Sequence, residues 1–145
     1  MRTDKRKDTI EPRKKSTIVK HWERDLRRGL LQLMILILIR LQSLPSSGNE
    51  KEKESHAHGY GLIKVIRDSG IPLKAGTIYP LLKRMEDDGL ISSIPATGID
   101  SAIVARKIYT ITDIGEEMIE EMMDTYSPYH ESIKKWYQVI KNQRG

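Results

Sequence analysis

The sequence predicts a mainly α-helical protein with one small β-hairpin and with long helices near both ends of the chain. Three observations support this fold class. Apolar residues recur at three- and four-residue steps before residue 42 and again after residue 113, and a segment rich in β-branched residues lies between them. The chain has 145 residues, which is enough for one domain with a hydrophobic core.

The composition excludes several kinds of site. The chain has no Cys, which excludes a disulfide framework, a thiolate metal site and a thiol nucleophile. Its formal net charge of +5 and pI of about 9.4 fit a polyanionic partner. The charge is uneven: residues 1–28 hold eleven Lys or Arg against five Asp or Glu, whereas residues 113–126 hold six acids and no Lys or Arg. We therefore expect the two ends to have different tasks.

Residues 30–39 form an apolar run interrupted only by Gln32. A helix that spans a bilayer needs about 20 apolar residues, so this run is too short. It also lies too far from the first residue to be the core of a signal peptide. A buried helix explains the run better, and we expect a cytoplasmic protein with no membrane partner.

The first helix is predicted from Ser16, as its N-cap, to Gln42. Residues 1–15 are polar and mostly charged, and we expect them to form a flexible basic arm. From Leu30 onward the helix is apolar nearly all round, so it must be covered by the rest of the domain and by a second subunit. The apolar residues that recur along it are Val19, Trp22, Leu26, Leu30, Leu33, Ile37 and Leu41.

An inserted loop over residues 43–57 separates this helix from a helix-turn-helix. The first helix of the pair is predicted from His58 to Asp68, where His58 positions the helix start, and Gly70 provides its C-terminal cap. The turn is Ile71-Pro72-Leu73, and the second helix is predicted from Ala75 to Asp88.

The second helix of the pair has one apolar face. Its buried stripe, at the spacing i, i+3, i+4 and i+7, consists of Ile78, Leu81, Leu82 and Met85. Pro80 would normally remove a helical hydrogen bond. With Thr77 as the N-cap it falls in the first turn, where its missing N–H has no acceptor to lose. Gly89 then ends the helix.

Two strands are predicted after this helix, from Ile91 to Ile94 and from Ile103 to Thr112, joined by a turn over residues 95–101. A hairpin in this place turns the helix-turn-helix into a winged helix, which gives a domain over residues 16–112. The helical period then returns, and we predict a helical dimerisation region over residues 113–145. Ser127 and Pro128 mark a break or kink in it.

The helix from Ala75 to Asp88 carries Thr77, Tyr79, Lys83 and Arg84 off its buried stripe. Short hydroxyls and an aromatic edge near a helix N-terminus suit phosphate and base contacts, because free backbone N–H groups point the same way. The alternative is an ordinary solvated helix face.

Arg106 and Lys107 follow a flexible turn, where paired cations neutralise phosphates. The alternative for this pair is protection of a strand edge. The basic arm over residues 1–15 either follows phosphates or a minor groove, or is a soluble tail without a role.

Three blocks of sequence carry a resemblance. They are His58-Gly59-Tyr60, then Gly76-Thr77-Ile78-Tyr79-Pro80-Leu81-Leu82 with Asp88-Gly89-Leu90-Ile91, then Arg106-Lys107-Ile108-Tyr109-Thr110-Ile111-Thr112 with Gly115. In this order they resemble the PadR family of winged-helix transcriptional repressors, over about Leu30 to Met123. The chain departs from the family in its basic N-terminal extension, in its longer loop over residues 43–57 and in its short C-terminal part.

The resemblance implies a homodimer that binds a palindromic operator in double-stranded DNA and represses transcription. Carried over residue by residue, it places Tyr60, Thr77, Tyr79, Pro80, Arg106 and Lys107 on DNA. We add Lys74, just before the Ala75–Asp88 helix, and Lys83 and Arg84 within it. It also implies a dimer interface built by the first and last helices. Its predicted residues are Leu30, Leu33, Ile37, Met118, Met122, Tyr126, Ile133, Trp136, Tyr137 and Ile140.

Some relatives bind aromatic compounds between subunits, so the Met and aromatic residues of the last helix have two interpretations. They pack the dimer, which we favour, or they line a site for a small aromatic effector. No pattern of an enzyme, a metal site or a cofactor site is present. The alternatives to a repressor are an architectural DNA-binding protein of low specificity and a winged helix that binds protein.

Overall fold

Six elements make up the described parts of the chain, which are residues 11–42, 58–95 and 107–144 of this computed structural model. In chain order they are α1 (Pro12–Leu41), α2 (Gly59–Asp68), α3 (Ala75–Asp87), β1 (Ile91–Pro95), β2 (Lys107–Ile111) and α4 (Asp113–Arg144). The predicted fold class, mainly α with one small hairpin, is confirmed. The predicted loop over residues 43–57, the tip of the hairpin and Arg106 lie outside the described residues.

Helix α1 starts earlier than the sequence predicted. It begins at Pro12, so the prediction that Ser16 is its N-cap is wrong, and Ser16 lies inside the helix. Pro is well suited to a first helical position, because it has no N–H to leave unpaired and its φ is already helical. Residues 12–15, expected in the arm, are therefore helical, and residues 1–10 lie outside the described part of the chain.

The chain divides into two units, Met1–Gln32 and Leu33–Gly145. The described part of the first unit is the N-terminal portion of α1. Its large apolar side chains are exposed, and these are Ile18, Val19, Trp22 and Leu26. The polar side of the same segment carries most of its Lys and Arg, which makes this portion of α1 a basic amphipathic helix.

The hydrophobic core of the second unit is formed by the C-terminal part of α1, by one face each of α2 and α3, and by the start of the hairpin, whereas α4 buries only Gly115. No described polar or charged residue is buried with it. Its most deeply buried members are Ile35, Leu36 and Ile39 of α1, Leu62, Ile63 and Ile66 of α2, Ile78, Leu82 and Met85 of α3, and Leu73 and Ile91. The predicted stripe on α3 is thus confirmed, except that Leu81 is only half-buried.

The turn between α2 and α3 is fixed by two local features. Gly70 adopts a φ of +91°, which a side chain would resist, and so ends α2 where the sequence predicted. The Nε of Arg67 donates to the carbonyl oxygen of Leu73 at 2.5 Å, and the Leu73 side chain is buried. The turn therefore has little freedom to change the angle at which α3 leaves it.

The hairpin is antiparallel, with Ile91 opposite Ile111 and Pro95 opposite Lys107. Ser92 and Thr110 face each other across it, and their hydroxyl oxygens are 2.9 Å apart. After β2, the Thr112 hydroxyl donates to the carbonyl of Gly89 at 2.6 Å and accepts from the N–H of Gly115 at 3.0 Å. One side chain thus closes the hairpin and caps the start of α4.

Helix α4 runs through Ser127 and Pro128 without interruption, so of the two predicted alternatives, a break or a kink, the break is wrong. Pro128 removes a single hydrogen bond from a helix of 32 residues. The carbonyl that loses this bond belongs to Asp124, which is exposed, so water satisfies it. Within the described ranges, no helix combines the length and the apolar character that crossing a membrane requires.

Candidate nucleic-acid interface

The outer face of α3 does not pack against the core and is exposed to solvent. All its predicted contact residues are exposed, namely Lys74, Thr77, Tyr79, Pro80, Lys83 and Arg84. The opposite face is anchored by Ile78, Leu82 and Met85, none of which has measurable exposure. Buried and exposed residues alternate along α3 because of the helical period. When one stripe of the helix faces the core, the residues between the stripe positions face solvent.

The start of α3 differs from the sequence prediction in its cap. The helix begins at Ala75, so the N-cap position belongs to Lys74, and the prediction of Thr77 as the cap is wrong. Pro80 consequently lies one turn deeper than expected, and the carbonyl of Gly76 receives no N–H from it. Thr77 instead lies in the first turn with its hydroxyl exposed.

This end of α3 is open to an anion. Its first turn contains no acidic residue, and the N-cap side chain of Lys74 makes no capping hydrogen bond. A Cβ atom at Gly76 would meet nothing within 4 Å, so the backbone there is accessible. Helix N-termini carry unpaired N–H groups and a partial positive charge, and a phosphate suits both.

Tyr79 is seated against the first residue of α2. A Cβ atom at Gly59 would lie 2.6 Å from Cε1 of Tyr79, so only glycine leaves room for the ring. Tyr79 nevertheless remains about half exposed, at 48%. Its ring is thus supported on one side by backbone and open on the other.

Tyr60 follows Gly59 and is 63% exposed. Tyr60 therefore does not close the core. Its side chain is available to a partner at the first turn of α2.

The wing contacts α2 at the first residue of β2, which lies at the opposite end of the hairpin from Ile91 and Ile111. The Nδ1 of His58 lies 3.1 Å from the carbonyl oxygen of Lys107, the first residue of β2. The Lys107 side chain is exposed. Its neighbour in the predicted cationic pair, Arg106, lies outside the described residues, so the structure positions only one of the two.

A second set of contacts ties the wing to α3. The Ser93 hydroxyl donates to Oε2 of Glu86 at 2.7 Å. Tyr109 of β2 is nearly buried beside the same carboxylate. Burial raises the pKa of Tyr109 above its ordinary value of 10.0, and the negative charges of Glu86 and then Tyr79 raise it further. Tyr109 is therefore held in its neutral form.

The two basic residues in the middle of α3, Lys83 and Arg84, are exposed to solvent. Lys83 forms an i, i+4 ion pair with Asp87 at 3.6 Å, in which both side chains are largely exposed. Such pairs contribute about 0.3–0.5 kcal/mol, so a phosphate competes with Asp87 easily. Arg84 is exposed one position further along.

The residues predicted for a dimer interface fall into two groups. Those on α1 and on the first half of α4 are partly covered by their own chain: Leu30, Ile37, Met118, Met122 and Tyr126 are half-buried, and Leu33 is 7% exposed. Those near the end of α4 are largely exposed, namely Ile133, Trp136, Tyr137 and Ile140. Leu33 has little surface left to offer a partner, whereas Trp136 offers most of its own.

The parts played by His58 and Gly59 were missed by the sequence analysis. Both occur in a quoted block, yet His58 was assigned only to the helix start and Gly59 had no role. A signal was present: neither histidine nor glycine is a strong choice for opening a helix, since Ser, Thr, Asp or Asn caps it better. A residue that caps a helix poorly, at the position where the helix starts, indicates that this residue makes a contact elsewhere in the fold.

Three comparisons place this geometry among known proteins. Residues 52–121 match the Transcriptional regulator PadR-like family. The Negative transcriptional regulator PadR of Bacillus subtilis (strain 168) is 33% identical over 61 residues, which is 42% of this chain and 32% of that protein. The aligned segment thus spans about a third of the length of this curated relative.

The solved structures extend the match over most of the chain. A PadR family transcriptional regulator from Eggerthella lenta DSM 2243 is 30% identical, with 84% of this chain and 94% of that chain covered and a TM-score of 0.62. A PadR-like transcriptional regulator from Bacillus cereus strain ATCC 14579 is 24% identical, covers 79% of this chain and 97% of its own, and has a TM-score of 0.58, which supports the fold. The chain therefore belongs to the PadR-like family of winged-helix, DNA-binding transcriptional regulators and is not an enzyme.

Proposed function

We propose that the chain represses transcription as a homodimer on a palindrome-like site in double-stranded DNA. The observation that carries this proposal is the outward face of α3. Thr77 and Tyr79 lie at its open N-terminus, and Lys83 and Arg84 lie one turn further along. Polar and cationic groups on a helix whose other face is buried fit the edges and phosphates of a major groove.

The wing supplies a second contact in this proposal. Lys107 is exposed at the start of β2, and its carbonyl is joined to His58 at the start of α2 by a hydrogen bond. A cation there neutralises a phosphate beside the groove that α3 enters, with Arg106 next to it in the chain. Tyr60, exposed on α2, and Lys74, before α3, complete the proposed surface.

The dimer is supported by the uncovered apolar surface of α4. Ile133, Trp136 and Tyr137 are each more than half exposed, and isolated monomers rarely leave several large side chains exposed along one helix. We propose that these residues, together with the half-buried Leu30, Ile37, Met118, Met122 and Tyr126, pack against a second copy. We assign the Met side chains to this packing rather than to an aromatic effector, because their own chain already covers them in part.

The mechanism is occupancy of the site. Two copies of α3, related by a two-fold axis, enter successive major grooves about 34–36 Å apart, so the two half-sites are inverted repeats one helical turn apart. A dimer on this site excludes polymerase from an overlapping promoter. Such a regulator acts where the chromosome is, and we propose a cytoplasmic location for it.

The test is a fluorescence anisotropy titration with duplexes of about 30 base pairs, which are long enough for two half-sites. The duplexes tile the region upstream of the chain's own gene, and shuffled duplexes of equal composition serve as controls. We expect one tile to bind at least about a thousandfold more tightly than its shuffled control. Equal binding to all duplexes would instead favour the architectural alternative.

A variant with Lys83→Glu and Arg84→Glu distinguishes the two DNA-binding possibilities, the repressor and the architectural protein, from the third possibility, a winged helix that binds protein. This change should abolish binding to every duplex if α3 contacts DNA. Retention of duplex binding by this variant would contradict a DNA contact at α3.

A further inference from the structure

His58 occupies the N-cap position of α2 without capping it. Its backbone is extended, with φ −96° and ψ 153°, and its side chain makes no hydrogen bond to the helix that it begins. A Ser, Thr, Asp or Asn at this position would stabilise the helix through a side-chain hydrogen bond to its first turn. The imidazole is used elsewhere, on the carbonyl of Lys107 at 3.1 Å.

The direction of this hydrogen bond follows from chemistry. A carbonyl oxygen only accepts, so the Nδ1 of His58 carries the proton and donates. Pro95 lies opposite Lys107 in the hairpin and has no N–H, so it cannot supply a donor to Lys107. His58 therefore provides the Pro95–Lys107 end of the hairpin with a donor from a different element.

The next residue in the chain, Gly59, contacts α3, the helix that we propose enters the major groove. Gly59 is buried, and the ring of Tyr79 fills the space that a Cβ atom would need. Two consecutive residues thus hold two elements that are far apart in sequence. His58 holds β2 through a hydrogen bond, and Gly59 seats α3 through van der Waals contact.

We propose that His58 and Gly59 are positioning residues that fix the separation between the wing and α3, and thereby the distance between the phosphate contact at Lys107 and the groove contact at Tyr79. This inference rests on the proposed DNA contacts of those two side chains. Changing the distance between a phosphate and a groove edge costs deformation energy in the duplex, so both contacts form together most favourably when the protein holds them at the correct spacing. Neither His58 nor Gly59 needs to touch DNA for this effect.

Three substitutions at His58 separate anchoring of the wing from capping of α2. His58→Asn retains a side-chain amide donor and also caps a helix. His58→Ser caps the helix but is too short to reach Lys107, and His58→Ala does neither. If capping alone matters, Asn and Ser behave alike. If the anchor matters, Asn resembles the wild type and Ser resembles Ala.

The first measurement uses the free protein and needs no DNA. Amide hydrogen exchange of residues 107–111 reports opening of the hairpin. We expect exchange there to accelerate about tenfold in His58→Ser and His58→Ala, the effect of losing one hydrogen bond, and to stay near the wild-type rate in His58→Asn. Equal exchange in all four proteins would overturn the anchoring role.

The second measurement follows binding to a labelled mixed-sequence duplex of about 30 base pairs. His58→Ser should bind about tenfold more weakly, and its log–log salt slope should fall by about 0.9 for each wing phosphate contact that is lost. His58→Asn should keep the wild-type slope. Weak duplex binding by the wild type itself would count against the proposed function, whereas the exchange rates would still decide the anchor.

Gly59 is tested through Tyr79. Gly59→Ala should raise the helical stability of α2 and yet weaken duplex binding, because its methyl group displaces the Tyr79 ring. In a background with Tyr79→Ala, which removes the ring, Gly59→Ala should have no further effect on binding. An equal loss of binding in both backgrounds would overturn the seating role, since Gly59 would then act by another route.

Discussion

Gly115 of α4 lies directly against the main-chain carbonyl of Leu90. A Cβ atom at position 115 would overlap this carbonyl oxygen and would lie 2.7 Å from Cγ1 of Ile111. The same Leu90 oxygen accepts the backbone N–H of Thr112 at 3.1 Å. Backbone cannot move aside as a flexible side chain can, so the junction between the hairpin and α4 requires glycine.

Gly115→Ala should therefore destabilise the fold by about 2–3 kcal/mol, the cost of overpacking a rigid site. Urea denaturation followed by circular dichroism at a fixed protein concentration measures it. Gly76→Ala is the matched control, because Gly76 also lies in a first helical turn but has no atom within 4 Å of its Cβ position. The control should be neutral or more stable by up to about 1 kcal/mol. Equal midpoints for the two variants would contradict the close contact at Leu90.

The middles of the helices could be predicted from the sequence because burial repeats locally. Ile78, Leu82 and Met85 are three or four residues apart, and the structure buries all three. The same pattern identifies the exposed face of α3. It requires no knowledge of what covers the stripe, only that something does.

The helix ends could not be predicted as well. Thr77 has a capping side chain and Lys74 does not, so rules based on side chains favour Thr77, whereas the helix begins after Lys74. Pro128 shows the opposite error, because a long helix tolerates one lost hydrogen bond at an exposed turn. A capping side chain or a proline by itself therefore did not decide where a helix begins or whether it breaks.

The contacts that arrange the site were also beyond the sequence. Gly59 and Tyr79 belong to different helices, and their contact depends on how closely α2 packs on α3. His58 and Lys107 are 49 positions apart. Residue types in the three blocks indicated a surface for DNA, but they did not indicate which residues hold that surface in shape.

The charge on α3 should appear in the salt dependence of duplex binding. Lys83→Ala and Arg84→Ala should each weaken binding to a mixed-sequence duplex and lower the log–log salt slope by about 0.9 per lost phosphate contact. Anisotropy titrations at several salt concentrations measure the slope. Lys134→Ala and Lys135→Ala on α4 remove the same charge from exposed positions away from α3 and should leave the slope unchanged. Equal salt slopes in all four variants would show that Lys83 and Arg84 of α3 do not contact phosphates.

Trp136 should be a major contributor to dimer affinity. It is 65% exposed in the chain, so Trp136→Ala should hardly change the folding of a monomer. A large aromatic residue at the centre of an interface contributes at least about 2 kcal/mol, which corresponds to a roughly 30-fold weaker dimer. Sedimentation velocity over a range of concentrations measures the shift. Lys135→Ala is the neighbouring control and should leave the distribution unchanged. A wild-type chain that stays monomeric at micromolar concentration would contradict the dimer itself.

Thr112 should stabilise the junction through its hydroxyl. It donates to the Gly89 carbonyl at 2.6 Å and accepts the N–H of Gly115 at 3.0 Å, and Val retains its shape without these bonds. Thr112→Val should cost about 1–2 kcal/mol, as expected when a cap is lost and buried groups are left unpaired. The control is Thr125→Val, since the Thr125 hydroxyl only bonds back to Glu121 on an exposed turn. Urea midpoints compare the two, and an equal loss for both would mean that the Thr112 bonds contribute nothing specific.

Tyr109 should make the fold sensitive to alkaline pH. Its pKa is raised above 10.0 by burial, by Glu86 and by Tyr79, so the folded state binds its proton more tightly than the unfolded state does. The resulting stability is fully present below about pH 10, the unfolded value, and is lost as the pH rises through the higher folded value. Tyr109→Phe cannot ionise, so its free energy of unfolding should fall less steeply above pH 10 than that of the wild type. Tyr129→Phe, at a site 65% exposed, is the control and should keep the wild-type slope. Parallel curves for the wild type and Tyr109→Phe in urea denaturation across this range would show that the hydroxyl is not held in its neutral form beside Glu86.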